Sequence, residues 1–156
     1  MINHYDMIPE DLFYGSVLDV GCGDGAHQHQ STNAQRLYSC DYTGIDVTLG
    51  TDLFTYEPEH PFDLVLAIHV IEHVPIGQWD NLFSRLQSWV AEGGHLVIGT
   101  PYRQPSIRYS RFNGPENQRH RVFDIDEGLL SQYIYPLTYI HYEGPFGPAI
   151  LCIWRH

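Results

Sequence analysis

The run Leu18-Asp19-Val20-Gly21-Cys22-Gly23-Asp24-Gly25 constrains this chain more than any other stretch. A short apolar segment, residues 16–20 (SVLDV), leads straight into glycines at alternate positions. A strand that ends in closely spaced glycines and reopens as a helix exposes bare backbone. With no Cβ in the way, a ligand can approach that backbone closely. The free N–H groups and positive dipole end of the helix that follows, expected over residues 26–37, suit a carboxylate. Asp19 lies two residues before the first glycine. A carboxylate there can face the turn and accept hydrogen bonds from a bound ammonium or from the loop itself. Asp46 ends the next strand, where a carboxylate can hold both hydroxyls of a ribose. The plainer alternative is a tight turn and a surface aspartate.

Residues 43–47 (TGIDV) read as the second strand, and residues 51–54 as a very short third. Residues 62–68 (FDLVLAI) are almost continuously apolar, as in a strand buried on both faces of a parallel sheet. Ile76, Trp79, Leu82, Phe83, Leu86 and Val90 recur at helical spacing. This predicts an amphipathic helix over 76–92, stopped by Gly93-Gly94. Residues 95–99 make the next strand, ended by Pro101. Residues 100–123 contain Pro, Gly and Asn without a period, and connections this long are often functional. Asp124 and Glu127 have capping-box spacing and open a helix through Ile134. Residues 137–142 and 149–154 form an antiparallel pair around the turn at 144–148. The alternation predicts an α/β fold. Its sheet is Rossmann-like, open and mostly parallel, with helices on both faces and an antiparallel C-terminal strand pair. One compact domain over residues 1–156 is expected.

The formal net charge is −11, which repels nucleic-acid backbone at long range and argues against general nucleic-acid binding. The chain contains no lysine. Arg103, Arg108, Arg111, Arg119 and Arg121 fall in one stretch, with only Arg36, Arg85 and Arg155 elsewhere. Clustered arginines suit a carboxylate or phosphate, or simply solvate a loop on an acidic surface. Tyr102, Tyr109 and Phe112 lie between them, an interleaving that can also stack a single base. Cys22, Cys40 and Cys152 are odd in number and lack zinc spacing, which predicts free thiols in a reducing cytoplasm. No apolar run is long enough to span a membrane, and the N-terminal residues lack the pattern of a signal peptide.

Residues 16–25, 43–54, 62–74 and 93–101 resemble successive motifs of class I S-adenosylmethionine-dependent methyltransferases. The resemblance is closest to the small-molecule, quinone-biosynthesis branch (methyltransferase type 11). It implies S-adenosylmethionine as cofactor, with S-adenosylhomocysteine as product. By that likeness Gly21, Gly23 and Gly25, with Cys22 in the same turn, admit the methionine moiety. Asp19 supports the loop and its ammonium contact, Asp46 binds the ribose, and Asp52 and Leu53 sit where adenine is contacted. Phe62-Asp63-Leu64-Val65, Glu72-His73-Val74 and Gly93-Gly94-His95-Leu96 match the later motifs. Few residues precede the first strand, and the link at 47–51 is too short for the usual second helix. The pocket is therefore expected to be open, closed by the loop at 100–123, or completed by a homodimer mate or partner subunit.

Two other patterns compete. His69-Val70-Ile71-Glu72-His73 spells H-x-x-E-H, an inverted zinc-protease signature. It follows a buried strand and meets Pro75 two residues later, so no metal is expected. Gly21-Cys22-Gly23-Asp24-Gly25-Ala26 also satisfies a dinucleotide fingerprint, making an NAD-binding oxidoreductase the alternative enzyme. A non-catalytic cofactor-binding partner subunit is a third reading. For methyl transfer to an oxygen or nitrogen of a small polar or anionic acceptor, His69, His73 and His120 are the candidate bases. His69, at the strand's end beside the cofactor, ranks first, while His73 serves equally well as a structural residue. Tyr102, Arg108 and Arg111 are the candidate acceptor contacts.

Overall fold

The apolar run at residues 62–68 becomes the middle of a six-stranded sheet. The structure, a computed structural model, describes residues 3–24, 32–109 and 114–156. The strands are β1 (Ser16–Val20), β2 (Asp41–Ile45), β3 (Phe62–Ile68), β4 (Val90–Pro101), β5 (Thr138–Gly144) and β6 (Gly147–Arg155). Their order is β2-β1-β3-β4-β6-β5. The first four strands are parallel, with Leu18 beside Val65 and Val65 beside Leu96. β6 runs antiparallel to both β4 and β5. The predicted mostly parallel sheet with an antiparallel C-terminal pair is therefore the observed one.

Alternation along each strand builds two apolar layers. Leu18, Val20, Val65, Ala67, Leu96 and Ile98 face one side, where α2 (Trp79–Ser88) lays Trp79, Leu82, Phe83 and Leu86 on them. Val17, Leu64, Leu66 and Val97 face the other, under α1 (Thr32–Arg36) and two 3-10 turns, His4–Met7 and Glu10–Leu12. Tyr5 and Leu12 of those turns, and Ile8 between them, are buried, so the two turns cover this face of the sheet. Each large apolar side chain buried in this way contributes about 1.5–3 kcal/mol. Among the described residues no helix is long and apolar enough to cross a membrane.

Several local expectations are corrected. The helix predicted over 76–92 is a 3-10 turn, Ile76–Gln78, followed by α2, which stops at Ser88. Val90 fits the helical period but pairs with Phe62 as the first residue of β4. The double glycine does not end a helix. It forms a bulge between the Phe62–Val90 and Leu64–His95 pairs, where a Cβ on Gly94 would lie 2.8 Å from the Asp63 carbonyl. Residues 51–54 make a turn instead of a strand. The Asp52 carboxylate accepts from the Phe54 N–H, and its carbonyl from those of Thr55 and Tyr56, so these donors are lost to any sheet. β2 begins and ends two residues early because Asp46 caps the turn Val47–Leu49. The last helix, α3 (Glu127–Leu130), is capped by Asp126, which accepts from the Leu129 N–H. Asp124 stands instead at φ 52°. Of the helix predicted over 26–37, α1 and a 3-10 turn at Leu37–Ser39 are described, and residues 26–31 lie outside the described residues.

Candidate active site

At the end of β1 the chain turns back on β2. The Gly21 and Cys22 N–H groups both donate to the Ile45 carbonyl, at 2.8 and 3.3 Å. Gly21 and Gly23 hold φ of 72° and 59°, the left-handed region that glycine enters without penalty. Gly21 packs against Val70, and a Cβ there would lie 2.5 Å from the Val70 Cγ2 atom. The Gly23 N–H points at Asp46 and donates to Oδ2 at 2.9 Å. The other Asp46 oxygen accepts from the Thr48 N–H and hydroxyl, at 2.8 and 2.7 Å. Burial pushes the Asp46 carboxyl up, but these hydrogen bonds from Thr48 and Gly23 outweigh it and hold the group below its ordinary value.

The opposite wall comes from the end of β3. His69 leaves the strand at φ 56°, an uncommon conformation for a residue with a Cβ, and its N–H donates to the Gly99 carbonyl of β4 at 2.7 Å. The chain then makes a 3-10 turn, Ile71–His73, that buries Glu72 completely. One Glu72 oxygen lies 2.7 Å from His69 Nδ1, and the other accepts from the Thr100 hydroxyl at 3.2 Å. Burial pushes the Glu72 carboxyl up, yet the hydrogen bond and charge of His69, with the charge of His73, hold it below the usual carboxylate range. The Glu72 carbonyl in turn accepts from the Arg121 and Val122 N–H groups, so the long connection after β4 is tied to this turn.

These two walls enclose a cavity of about 350 Å³ at the C-terminal ends of β1, β2 and β3. Gly21, Gly23, Asp46, Asp52, Leu53, His69 and His73 all line it, so residues scattered through the sequence meet at one place. Its size lies within the range of small-molecule sites. His73 Nδ1 is 3.2 Å from the Arg119 carbonyl, an acceptor only. The ring must therefore donate from Nδ1, and a neutral His73 keeps its Nε2 lone pair. His69 is differently placed. Its Nε2 lies 2.7 Å from Nε2 of His4, so both of its ring nitrogens are occupied within the chain.

Other residues singled out from the sequence fall outside the cavity. Asp19 is buried beneath two phenols: Tyr42 donates to it at 2.9 Å and Tyr5 at 3.2 Å. Its carboxylate holds the N-terminal turn and β2 together and does not line the cavity. Cys22 is buried toward β2, where a Cβ on Gly44 would lie 2.8 Å from its sulfur. His120 stands behind His73, their ring centroids 4.8 Å apart, and stacks on Tyr109 at 3.9 Å. Burial pushes its imidazole down. Tyr102 donates to Glu127 at 3.2 Å and lines a separate cleft. Arg108 donates to the Phe146 carbonyl, Arg103 reaches Asp126 at 3.8 Å, and Arg121 pairs with Glu116 at 3.0 Å. These arginines are anchored separately and do not converge. Gly25 and Arg111 lie outside the described residues.

The H-x-x-E-H pattern does not present its two histidines on one helical face, because it straddles the strand end and a 3-10 turn. The groups of Glu72, His73 and His120 lie within 4.8 Å of one another, but Glu72 is already engaged by His69 and Thr100. Sequence reasoning missed Arg85, whose guanidinium donates to the Leu53 and Tyr56 carbonyls at 3.0 and 2.6 Å and holds the cavity's 51–57 edge. It also missed Thr48 and His4. Asp-x-Thr at a strand end could have flagged Thr48; His4 carries no local signal.

A family model described as a methyltransferase domain matches residues 8–129. Among curated proteins, (S)-coclaurine N-methyltransferase of Papaver somniferum is 28% identical over 104 residues, covering 53% of this chain and 28% of that protein. The chain thus spans less than a third of that relative's length. Among solved structures, a SAM-dependent methyltransferase from Archaeoglobus fulgidus superposes with a TM-score of 0.67 at 16% identity, covering 94% of this chain and 89% of that one. The N-methyltransferase NodS from Bradyrhizobium japonicum WM9 gives 0.63 at 18% identity, covering 90% and 85%. The 1,6-didemethyltoxoflavin-N1-methyltransferase of Burkholderia thailandensis, with 1,6-didemethyltoxoflavin and S-adenosylhomocysteine bound, gives 0.60 at 17% identity, covering 90% and 70%. At such identities these structures speak for the fold.

Proposed function

The chain belongs to the methyltransferase-domain family, and from that premise we propose that it moves the methyl group of S-adenosylmethionine to a nitrogen or oxygen of a small polar acceptor. The observation that carries this reading is the convergence of the glycine turn, Asp46 and the two histidines on one cavity. When bound, the cofactor supplies a sulfonium methyl that is already activated for transfer. The protein's task is then alignment and exclusion of water. Gly21 and Gly23 leave room for the methionine end because neither carries a Cβ. A carboxylate has about four acceptor positions. In Asp46 one is taken by Gly23 and two by Thr48. One ribose hydroxyl therefore binds directly, and a second requires the Thr48 hydroxyl to turn away. Asp52 and Leu53 edge the adenine end. His73, whose Nε2 lies 3.9 Å from a Glu72 carboxylate oxygen, lines the same cavity. The separate anchoring of Arg103, Arg108 and Arg121 favours a polar acceptor over an anionic one.

Titration calorimetry of the purified chain with S-adenosylmethionine, S-adenosylhomocysteine and NAD tests this. Micromolar binding of both adenosyl ligands and none of NAD is expected, with Asp46→Asn weakening them about tenfold, or about 1.4 kcal/mol. NAD binding alone would make the chain an oxidoreductase. Adenosyl binding without S-adenosylhomocysteine release on a panel of small amines and phenols would leave a non-catalytic binding subunit. Arg85→Ala should cost about fivefold in S-adenosylhomocysteine affinity by loosening residues 51–57, the equivalent of about 1 kcal/mol for a lost hydrogen-bonded clamp. Unchanged affinity would show that the edge holds without it.

A further inference from the structure

The connection after β4 returns to the cofactor cavity. Its 3-10 turn, Glu116–Gln118, brings Asn117 and Gln118 into the cavity's lining. The turn closes on itself: the Gln118 N–H donates to the Pro115 carbonyl at 3.0 Å and the Arg119 N–H to the Glu116 carbonyl at 3.1 Å. The next residues fix it to the turn that carries Glu72 and His73. The Arg121 and Val122 N–H groups donate to the Glu72 carbonyl at 2.6 and 3.1 Å, and His73 Nδ1 donates to the Arg119 carbonyl at 3.2 Å. On the side of the connection these bonds use main-chain groups only. The Asn117 and Gln118 carboxamides are exposed, and neither is bonded to another of the described residues.

The packing places them at one end of the cavity. Leu53, Phe54 and Val74 line it and share one apolar cluster, on the α2 face of the sheet. His73, which holds Arg119, directly precedes Val74 in the chain. The other end is marked by His69, whose ring meets His4 of the turn under the opposite face. Asn117 and Gln118 therefore stand at the Leu53 end, where apolar walls suit a flat ring. The cavity's 350 Å³ is close to the lower limit of small-molecule sites, about 300 Å³, so one ligand fills it and the groups that line it meet that ligand.

Hydrogen-bonding capacity narrows the assignment. Adenine presents an amino donor beside a ring-nitrogen acceptor. Asp52 spends one carboxylate oxygen on the Phe54 N–H, and the Leu53 carbonyl is taken by Arg85. The remaining Asp52 oxygen can accept from the amino group, but a carboxylate has nothing to donate to the ring nitrogen. Of the lining side chains that carry an N–H, His69 is held by Glu72 and His4, and His73 by Arg119. Asn117 and Gln118 remain. A carboxamide carries an acceptor and a donor side by side, the pair that matches adenine's edge.

Resting on the methyltransferase reading, we infer that Asn117 and Gln118 are an adenine-recognition site supplied by the connection after β4. Their carboxamides bond the amino group and an adjacent ring nitrogen of the cofactor's base, closing the connection over it.

Calorimetry with S-adenosylhomocysteine and with its 1-deazaadenine and 7-deazaadenine analogues tests this as a double-mutant cycle, the ring nitrogen being one of the two sites. In the wild type at least one analogue should bind about tenfold more weakly than S-adenosylhomocysteine, within the range of a bidentate contact. The double variant Asn117→Ala, Gln118→Ala should lose about tenfold for S-adenosylhomocysteine and less than twofold for that analogue, which lacks the nitrogen to be bonded. A turn that was merely loosened would weaken all three ligands equally, so additive losses overturn the assignment. So does a wild type indifferent to both analogues. Asn117→Asp with Gln118→Glu keeps size and acceptors but removes the donors, and should behave as the alanine variant does; wild-type affinity there would end the proposal. Unchanged S-adenosylhomocysteine affinity with a raised KM on an amine and phenol panel would give these residues to the acceptor instead. Failure of the wild type to bind S-adenosylhomocysteine would strike the methyltransferase reading itself.

Discussion

Gly21→Ala should lower S-adenosylhomocysteine affinity at least thirtyfold and lower the melting temperature at the same time. Two costs act together. A residue with a Cβ pays about 1–2 kcal/mol to hold the left-handed backbone at this position, where φ is 72°. The added methyl would also lie 2.5 Å from the Val70 Cγ2 atom, well inside contact distance. Overpacking of this kind costs about 1–3 kcal/mol more. The turn can escape only by breaking the N–H bonds from Gly21 and Cys22 to the Ile45 carbonyl, which aim Gly23 at Asp46. Val70→Ala in the same chain removes the clash but not the backbone cost, so the double variant should recover part of the affinity. Calorimetry and thermal unfolding on the three proteins check this. A Gly21→Ala chain that binds and melts like wild type would mean that the turn does not hold this conformation in solution.

Trp79→Ala should be the most destabilising single change at a site that touches no ligand, by about 3–5 kcal/mol. Trp79 is fully buried, with Phe83 and Tyr133 ring centroids at 5.5 and 5.2 Å. Its indole N–H is shared between the Ile71 and Val74 carbonyls, at 3.1 and 3.0 Å, and so ties down both ends of the turn that carries Glu72 and His73. For a chain of this size the loss corresponds to a fall in Tm of roughly 6–20 °C. Trp79→Phe keeps most of the packing and removes the donor. It should cost about 1–3 kcal/mol for the carbonyls left without it. If the two variants melt alike, the indole N–H and not the volume is what the turn depends on.

The glycine turn was legible because its requirements are local. A strand, a positive φ and a missing Cβ all fall within residues 16–23. Asp46 was legible for the same reason, as a carboxylate at a strand end. The helix period misled at Val90, since a buried apolar residue at helical spacing also serves as the first residue of a strand. Only the Phe62–Val90 pairing decides between the two. Residues 51–54 looked strand-like by composition, but the Asp52 side chain satisfies the backbone donors locally.

Side chains that act on partners far along the chain left no such trace. Asp19 lies where an aspartate suits a bound ammonium, yet Tyr5 and Tyr42 reach its carboxylate once the N-terminal turns fold under the sheet. His69 has the position of a base, yet His4 holds its free nitrogen. Arg103, Arg108 and Arg121 are neighbours in sequence yet anchor apart, on Asp126, Phe146 and Glu116 respectively.

By itself, then, the sequence determined the parallel core, the glycine turn at its edge and the carboxylate beside that turn, since periodicity and local backbone demands specify each of them within a few residues. Only the tertiary structure decided which groups meet His69 and Asp19. A side chain's proton and its partner depend on which strands become neighbours and on how deeply each group is buried, and the sheet order sets both.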